Sequence, residues 1–218
     1  MIRNLLFFCV LIALLLFSAG RSDYWQGWLL IVVMAVQIVV TILQSSGYTS
    51  LAAERIKPGP GIKWWDKGFM ALYFPLSMSI FVVGGLDAGR FGWTHGLPLW
   101  VYPVSVVVYG ASFAFTRWAM QTNRWFSSVV RIQTERDQQV VWEGPYRFVR
   151  HPGYTGIIVS FVSAPFILGS LWALVPAGAG ALLLIARTAL EDTALQSEPA
   201  GYMEYAGKVK YRLLPGVW

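Results

Sequence analysis

Residues 153–186 read GYTGIIVSFVSAPFILGSLWALVPAGAGALLLIA, a run without a single charged side chain. One membrane crossing needs about 20 residues, so the run is too long for one span and slightly short for two. Its two apolar blocks, Gly153–Gly169 and Leu171–Ala186, are separated only by Ser170. The run therefore reads as a tight helical hairpin whose ends return to the same face. Whatever precedes Gly153 and follows Ala186 is then brought together by topology alone.

Four more blocks lie upstream. Leu5–Ala19, Trp25–Leu43, Gly68–Leu86 and Leu97–Thr116 are each free of charge. Composition agrees: 56% of residues are hydrophobic and 13% charged, against about 25% charged in soluble domains. The expected fold class is an all-α membrane protein. It is a polytopic bundle of about six transmembrane segments forming a single integral membrane domain over 1–218, with N-terminal helices in 1–96 and a core in 97–218. Leu5–Ala19 has the length of a signal-peptide core, but the next block begins at Trp25, so an uncleaved first helix is expected.

Six crossings with the N terminus inside leave only Arg21 and Arg90, of seventeen Lys and Arg, on the outer face. That asymmetry is a strong positive-inside pattern and places both termini in the cytoplasm. It also accounts for the net charge of +6 without nucleic acid. Trp25, Trp28, Trp64, Trp65, Trp93, Trp100, Trp118 and Trp125 fall near block ends, where indoles anchor at the interface. One cysteine, Cys9, and two histidines, His95 and His151, exclude an internal disulfide and a Cys/His zinc cage. A multi-pass protein with membrane lipids around it is expected, with a bacterial inner membrane as its setting.

Three cytoplasmic segments follow from this topology. Gln44–Lys67 contains Pro58-Gly59-Pro60-Gly61, which forbids a helix there. Arg117–His151 is polar and mixed in charge, and Val140-Val141-Trp142 before Glu143-Gly144-Pro145 has the pattern of a short strand and turn. In the tail, Arg187–Trp218, the stretch from Glu191 to Tyr205 suits an amphipathic helix interrupted at Pro199. The second and third segments flank the hairpin and so must meet.

The residues where they meet are unusual for a membrane boundary. Gly144-Pro145-Tyr146-Arg147-Phe148-Val149-Arg150-His151-Pro152-Gly153-Tyr154-Thr155-Gly156 sets two arginines and a histidine against the hairpin. Pro152 suits the first turn of a helix, whose free amides form an anion site. Arg187 and Glu191, spaced i and i+4, share one helix face. Ionisable groups at such depth are functional candidates, although an ion pair and headgroup contacts would also explain them. Tyr202, Tyr205 and Tyr211 offer aromatic faces to a cation, or to the interface. There is no Ser-His-Asp order, no Walker loop and no Gly-x-Gly-x-x-Gly, so hydrolytic and conventional nucleotide chemistry have no support.

Gly-Pro-Tyr-Arg-x-x-Arg-His-Pro-x-Tyr-x-Gly at 144–156 resembles the signature of membrane isoprenylcysteine carboxyl methyltransferases and their phospholipid methyltransferase relatives. Glu191-Asp192-x-x-Leu195, Tyr202-x-x-Tyr205 and Pro215 resemble the tail pattern of that family. Asp192 stands for a second Glu, and Glu198-Pro199-Ala200-Gly201 replaces the usual Phe-Gly-Glu-Glu. The resemblance covers about Gly110 to Trp218. It implies S-adenosylmethionine bound on the cytoplasmic side and a lipophilic or lipid acceptor arriving from the bilayer. It implies that Tyr146, Val149, His151, Pro152, Tyr154, Leu195, Tyr202 and Tyr205 line the cofactor pocket. Arg150 or Arg187, with Glu191 nearby, would be the catalytic group that holds an acidic acceptor or the cofactor carboxylate. Membrane sterol reductases are similar at Arg150-His151-Pro152 and at Val209–Pro215, which would imply NADPH and lipid reduction. Gly153 in place of their Asn and the preceding Gly144-Pro145-Tyr146 favour the methyltransferase. A non-enzymatic lipid-binding scaffold is the third expectation.

Overall fold

The computed structural model describes residues 2–44, 61–131, 133, 136–197 and 201–218, and side chains from residue 6 onward. Helix α1 spans Ile2–Ala19, α2 Trp25–Gln44 and α3 Trp64–Gly84, the last continuing as a π-helical turn over Gly85–Phe91. Helix α4 spans Val101–Thr122, α5 Pro152–Ile167, α6 Leu174–Ser197 and α7 Tyr202–Lys208. A 3-10 turn, Gly144–Arg147, precedes α5. The fold is all-helical among the described residues.

Three helical segments are long and apolar enough to cross a membrane: Trp25–Gln44, Trp64–Phe91 and Leu174–Ser197. Leu6–Ala19 and Pro152–Ile167 are apolar but shorter. Large apolar side chains such as Phe17, Val32, Leu72, Val107 and Leu182 face outward. That arrangement suits lipid rather than water, and the chain is an integral membrane protein.

Several boundaries differ from the sequence expectation. The block expected from Leu97 becomes helical only at Val101, where the Val101 amide bonds the Pro98 carbonyl at 2.9 Å. It then runs past Arg117 to Thr122, because Arg117 has a polar partner at that depth, donating from Nη2 to Gln44 Oε1 at 3.2 Å. Val140-Val141-Trp142 forms no strand. A lone extended segment has no neighbour for its amides, and these residues instead pack on Tyr146, Tyr202 and Tyr205. Pro58-Gly59-Pro60 and Glu198-Pro199-Ala200 lie outside the described residues, as do Arg55, Lys57 and Glu135.

The hairpin is present, with α5 and α6 packed together and α5 also lying along α4. Close approach explains one glycine. A Cβ on Gly156 would lie 2.0 Å from Thr116 Oγ1 and 2.7 Å from the Ser112 carbonyl, so α4 and α5 could not pack as they do. Ser112 and Ser160 bridge the same contact at 2.7 Å.

The tip of the hairpin holds a feature that apolar patterning does not show. Gly169 turns the chain with φ +70, and Ser170 Oγ donates to Asp87 Oδ2 at 2.6 Å. Asp87, fully buried in the π-turn, also accepts from the amide and hydroxyl of Thr94, each at 2.6 Å. Tyr24 on α2's approach donates its hydroxyl to the Leu168 carbonyl. Four segments are thereby tied at one end. The free ends of α5 and α6 meet at the other, where the motif residues lie.

Candidate active site

Asp192 organises this end. It is fully buried on α6 and accepts Arg150 bidentately, Nε at 2.8 Å and Nη2 at 3.0 Å. Arg212 Nε adds a contact at 2.9 Å, Tyr202 OH one at 2.8 Å and Gln196 Nε2 one at 2.8 Å. His151 Nε2 lies 3.4 Å from the same carboxylate. A carboxylate this deep is tolerated because opposite charge and several donors replace its water. Burial, with the Asp192 charge behind it, holds the Tyr202 phenol well above its ordinary range, so it stays a donor.

Arg150 also fixes the tail. Its Nη1 bonds the carbonyls of Val209 at 2.9 Å and Lys210 at 3.2 Å, at the C-terminal end of α7. The Arg150 and His151 amides bond the Tyr211 and Arg212 carbonyls, each at 2.9 Å. Thr155 Oγ1 bonds the Leu213 carbonyl at 2.8 Å. Tyr205 OH bonds the Tyr146 carbonyl at 2.8 Å, and burial raises that phenol too. The motif and the tail meet through backbone as well as side chains.

The expected free amides at the start of α5 are partly used. The amides of Tyr154 and Thr155 bond the His151 carbonyl at 3.1 and 3.2 Å, so the turn closes on itself rather than presenting those two outward.

Above Asp192 lies a cleft. Tyr146, Arg150, His151, Tyr154, Glu191, Leu195, Tyr202 and Tyr205 all line it. Tyr154 OH donates to Glu191 Oε2 at 2.5 Å, and the rings of His151 and Tyr154 stack at 5.8 Å. Val149 and Pro152 are buried behind this surface. Arg187 lies below it, buried and bidentate to Asp66, Nε at 2.9 Å and Nη2 at 3.2 Å. Both arginines expected to hold an acidic group thus already hold a carboxylate of the chain itself. Tyr211, by contrast with the other two tail tyrosines, stays partly exposed.

The opposite wall comes from the loop after α4, whose role no periodic pattern announces. Asn123, Trp125, Phe126, Val130, Arg131 and Gln133 line the cleft. Asn123 Oδ1 accepts the Trp125 amide at 2.9 Å, while its Nδ2 reaches Tyr146 OH at 3.3 Å. Gln133, almost fully buried, donates to the Trp125 carbonyl at 2.6 Å. A Cβ on Gly153 would strike the Phe126 ring at 2.5 Å, so the motif glycine is what lets this wall close. Two adjacent aromatics, Trp125 and Phe126, were the signal available in the sequence.

Residues 104–197 match the isoprenylcysteine carboxyl methyltransferase family model. That segment is similar to this family. The family is one of membrane methyltransferases, and the matched segment spans nearly all of α4, the cleft wall, the 144–156 motif, α5 and all of α6. No curated protein matches the chain significantly.

Proposed function

We propose that the chain is an S-adenosylmethionine-dependent methyltransferase acting on a lipophilic acceptor drawn from the bilayer. The observation that supports this best is a coincidence of range: the matched family segment contains the motif, Glu191 and Leu195, and these face one cleft. Bound there, the cofactor would supply an electrophilic methyl group carried on a positive sulfur.

The donor set suits such a group. Tyr146, Tyr154, Tyr202 and Tyr205 present rings that favour a sulfonium and stack on an adenine. Glu191 supplies negative charge beside them, and Arg131 on the facing wall suits a carboxylate. Leu195 adds an apolar contact, while Val149 and Pro152 shape the wall from behind. His151 orients Tyr154 by stacking. Arg150 and Arg187, each balanced by an aspartate, fix the frame on which Glu191 and Tyr154 are carried. Methyl transfer needs no covalent enzyme intermediate, so the chain's contribution is chiefly orientation and exclusion of water.

Calorimetry on the detergent-purified protein tests the reading. S-adenosylhomocysteine is expected to bind and NADPH is not; the converse would establish a reductase, and binding of neither would leave a scaffold. His151→Ala and Tyr154→Phe are expected to weaken S-adenosylhomocysteine binding without loss of fold, and unchanged affinity in both would refute the assigned pocket.

We further propose six crossings with the termini and the cleft in the cytoplasm, on the strength of the Lys and Arg distribution. In a background lacking Cys9, cysteines placed at 60 and 135 are expected to label from one side and one at 95 from the other. Labelling of 60 and 95 from the same side would rule out this topology.

A further inference from the structure

We propose that Asp66, which lies outside the family segment, is a positioning residue of the cleft and sets the affinity for its cofactor. An aspartate in the first turn of a helix ordinarily sits in water and complements the helix dipole for a few tenths of a kcal/mol. Asp66 of α3 is instead fully buried. Its oxygens turn away from its own helix. Oδ1 accepts Arg187 Nε, and Oδ2 accepts both Arg187 Nη2 and the Val130 amide, the last at 2.7 Å.

These contacts lead to two sides of the cleft. On one side Asp66 holds the wall. The Val130 carbonyl is also bonded, by the Lys63 amide at 3.1 Å, and Arg187 Nη2 bonds the Ser128 carbonyl at 2.9 Å. Ser127, Val129 and Val130 line the cleft directly. On the other side Asp66 holds the floor. It fixes the Arg187 guanidinium over the Phe69 ring at 4.4 Å and near the Tyr154 ring at 5.3 Å, and Tyr154 carries the hydrogen bond to Glu191. One carboxylate therefore sets the distance between wall and floor. It also balances the Arg187 charge, which would otherwise sit buried and free to draw Glu191 away from the cleft.

This inference rests on the proposed use of the cleft for S-adenosylmethionine, and the test separates the two. Calorimetry with S-adenosylhomocysteine is run on folded, monodisperse wild type, Asp66→Asn, Arg187→Gln and the double variant. Coupled buried neighbours are far from additive, so each single change is expected to raise Kd about tenfold, and the double variant much less than the product of the two. A purely structural role would lower the melting temperature and leave Kd unchanged in the folded fraction. That result, or independent effects that simply multiply, overturns the proposal. If Asp66→Asn does not fold, Asp66→Glu keeps the negative counter-charge to Arg187 but displaces Val130. A raised Kd in that variant supports the proposal and a wild-type Kd overturns it. Failure of the wild type to bind S-adenosylhomocysteine overturns the methyltransferase reading instead.

Discussion

Asp192→Ala is expected to lower the melting temperature of the protein by about 10 °C or more. The side chain is fully buried and balances Arg150 and Arg212 while accepting from Tyr202 and Gln196. Alanine would remove every one of those acceptors and leave two guanidiniums facing each other without a counter-charge. Breaking a buried pair in this way costs about 3–5 kcal/mol, a large part of the 5–15 kcal/mol that separates a typical folded domain from its unfolded chain. The loss would start in the tail, because Arg150 released from Asp192 would no longer hold the carbonyls at the end of α7. Tryptic cleavage within 201–218 is therefore expected to appear below the global melting temperature. Asp192→Asn keeps one acceptor oxygen and should fall between. The exposed pair Lys208–Glu204, 2.8 Å apart, is the control: such pairs contribute about 0–1 kcal/mol, so Glu204→Ala should leave the melting temperature almost unchanged. A melting curve for Asp192→Ala that overlays the wild type would show that the cluster is not what joins motif and tail.

The hairpin and the meeting of its two flanks were legible in the sequence because they follow from one long uncharged run and its polar midpoint. No detail of packing was needed. The spacing of Arg187 and Glu191 was legible for a similar reason, since helical period alone puts them on one face. What each side chain does there was not legible. Arg187 read as a group to hold an acidic ligand, and its partner is Asp66, a residue 121 positions away on a helix whose own pattern announces nothing but apolarity. Arg150 likewise reaches 42 positions to Asp192. Long-range pairs between single charges leave no periodic trace. Asp87 was hidden in another way: it begins one residue beyond an apolar block, and only the π-turn and the hairpin tip that reach it give it a role. The wall formed by residues 123–131 and Gln133 is irregular, held by side chain-to-backbone bonds at Asn123 and Gln133, and such loops carry no repeat to read. The motif read either as a ligand site or as a capped helix with an ion pair and headgroup contacts, and the family resemblance favoured the ligand site. Much of it proves to be joinery, with Gly156 allowing α4 to approach, Gly153 clearing Phe126, and the Arg150 and His151 amides holding the tail.

Glu191→Gln is expected to weaken S-adenosylmethionine binding about tenfold or more while changing S-adenosylhomocysteine binding less than threefold. The two ligands differ by the methyl group and the positive charge on sulfur, so the comparison isolates charge. Two unit charges about 4 Å apart at a partly screened site interact by about 4 kcal/mol, and even a fraction of that spans a decade in affinity. Glu191 is the cleft-lining carboxylate without a cation bonded to it among the described residues. Its contact is the neutral hydroxyl of Tyr154, at 2.5 Å. Arg187 on the same face is already balanced by Asp66, at 2.9 Å. The negative charge is therefore available to the ligand. Glutamine preserves volume and one acceptor for Tyr154, so the pocket should keep its shape, and neutral S-adenosylhomocysteine reports on that shape. Tyr154→Phe provides the contrast. It frees Glu191 of its hydrogen bond without altering charge, and should disturb both ligands alike. Equal weakening of both ligands by Glu191→Gln would mean that Glu191 acts through the shape of the pocket and that the sulfonium lies elsewhere in the cleft.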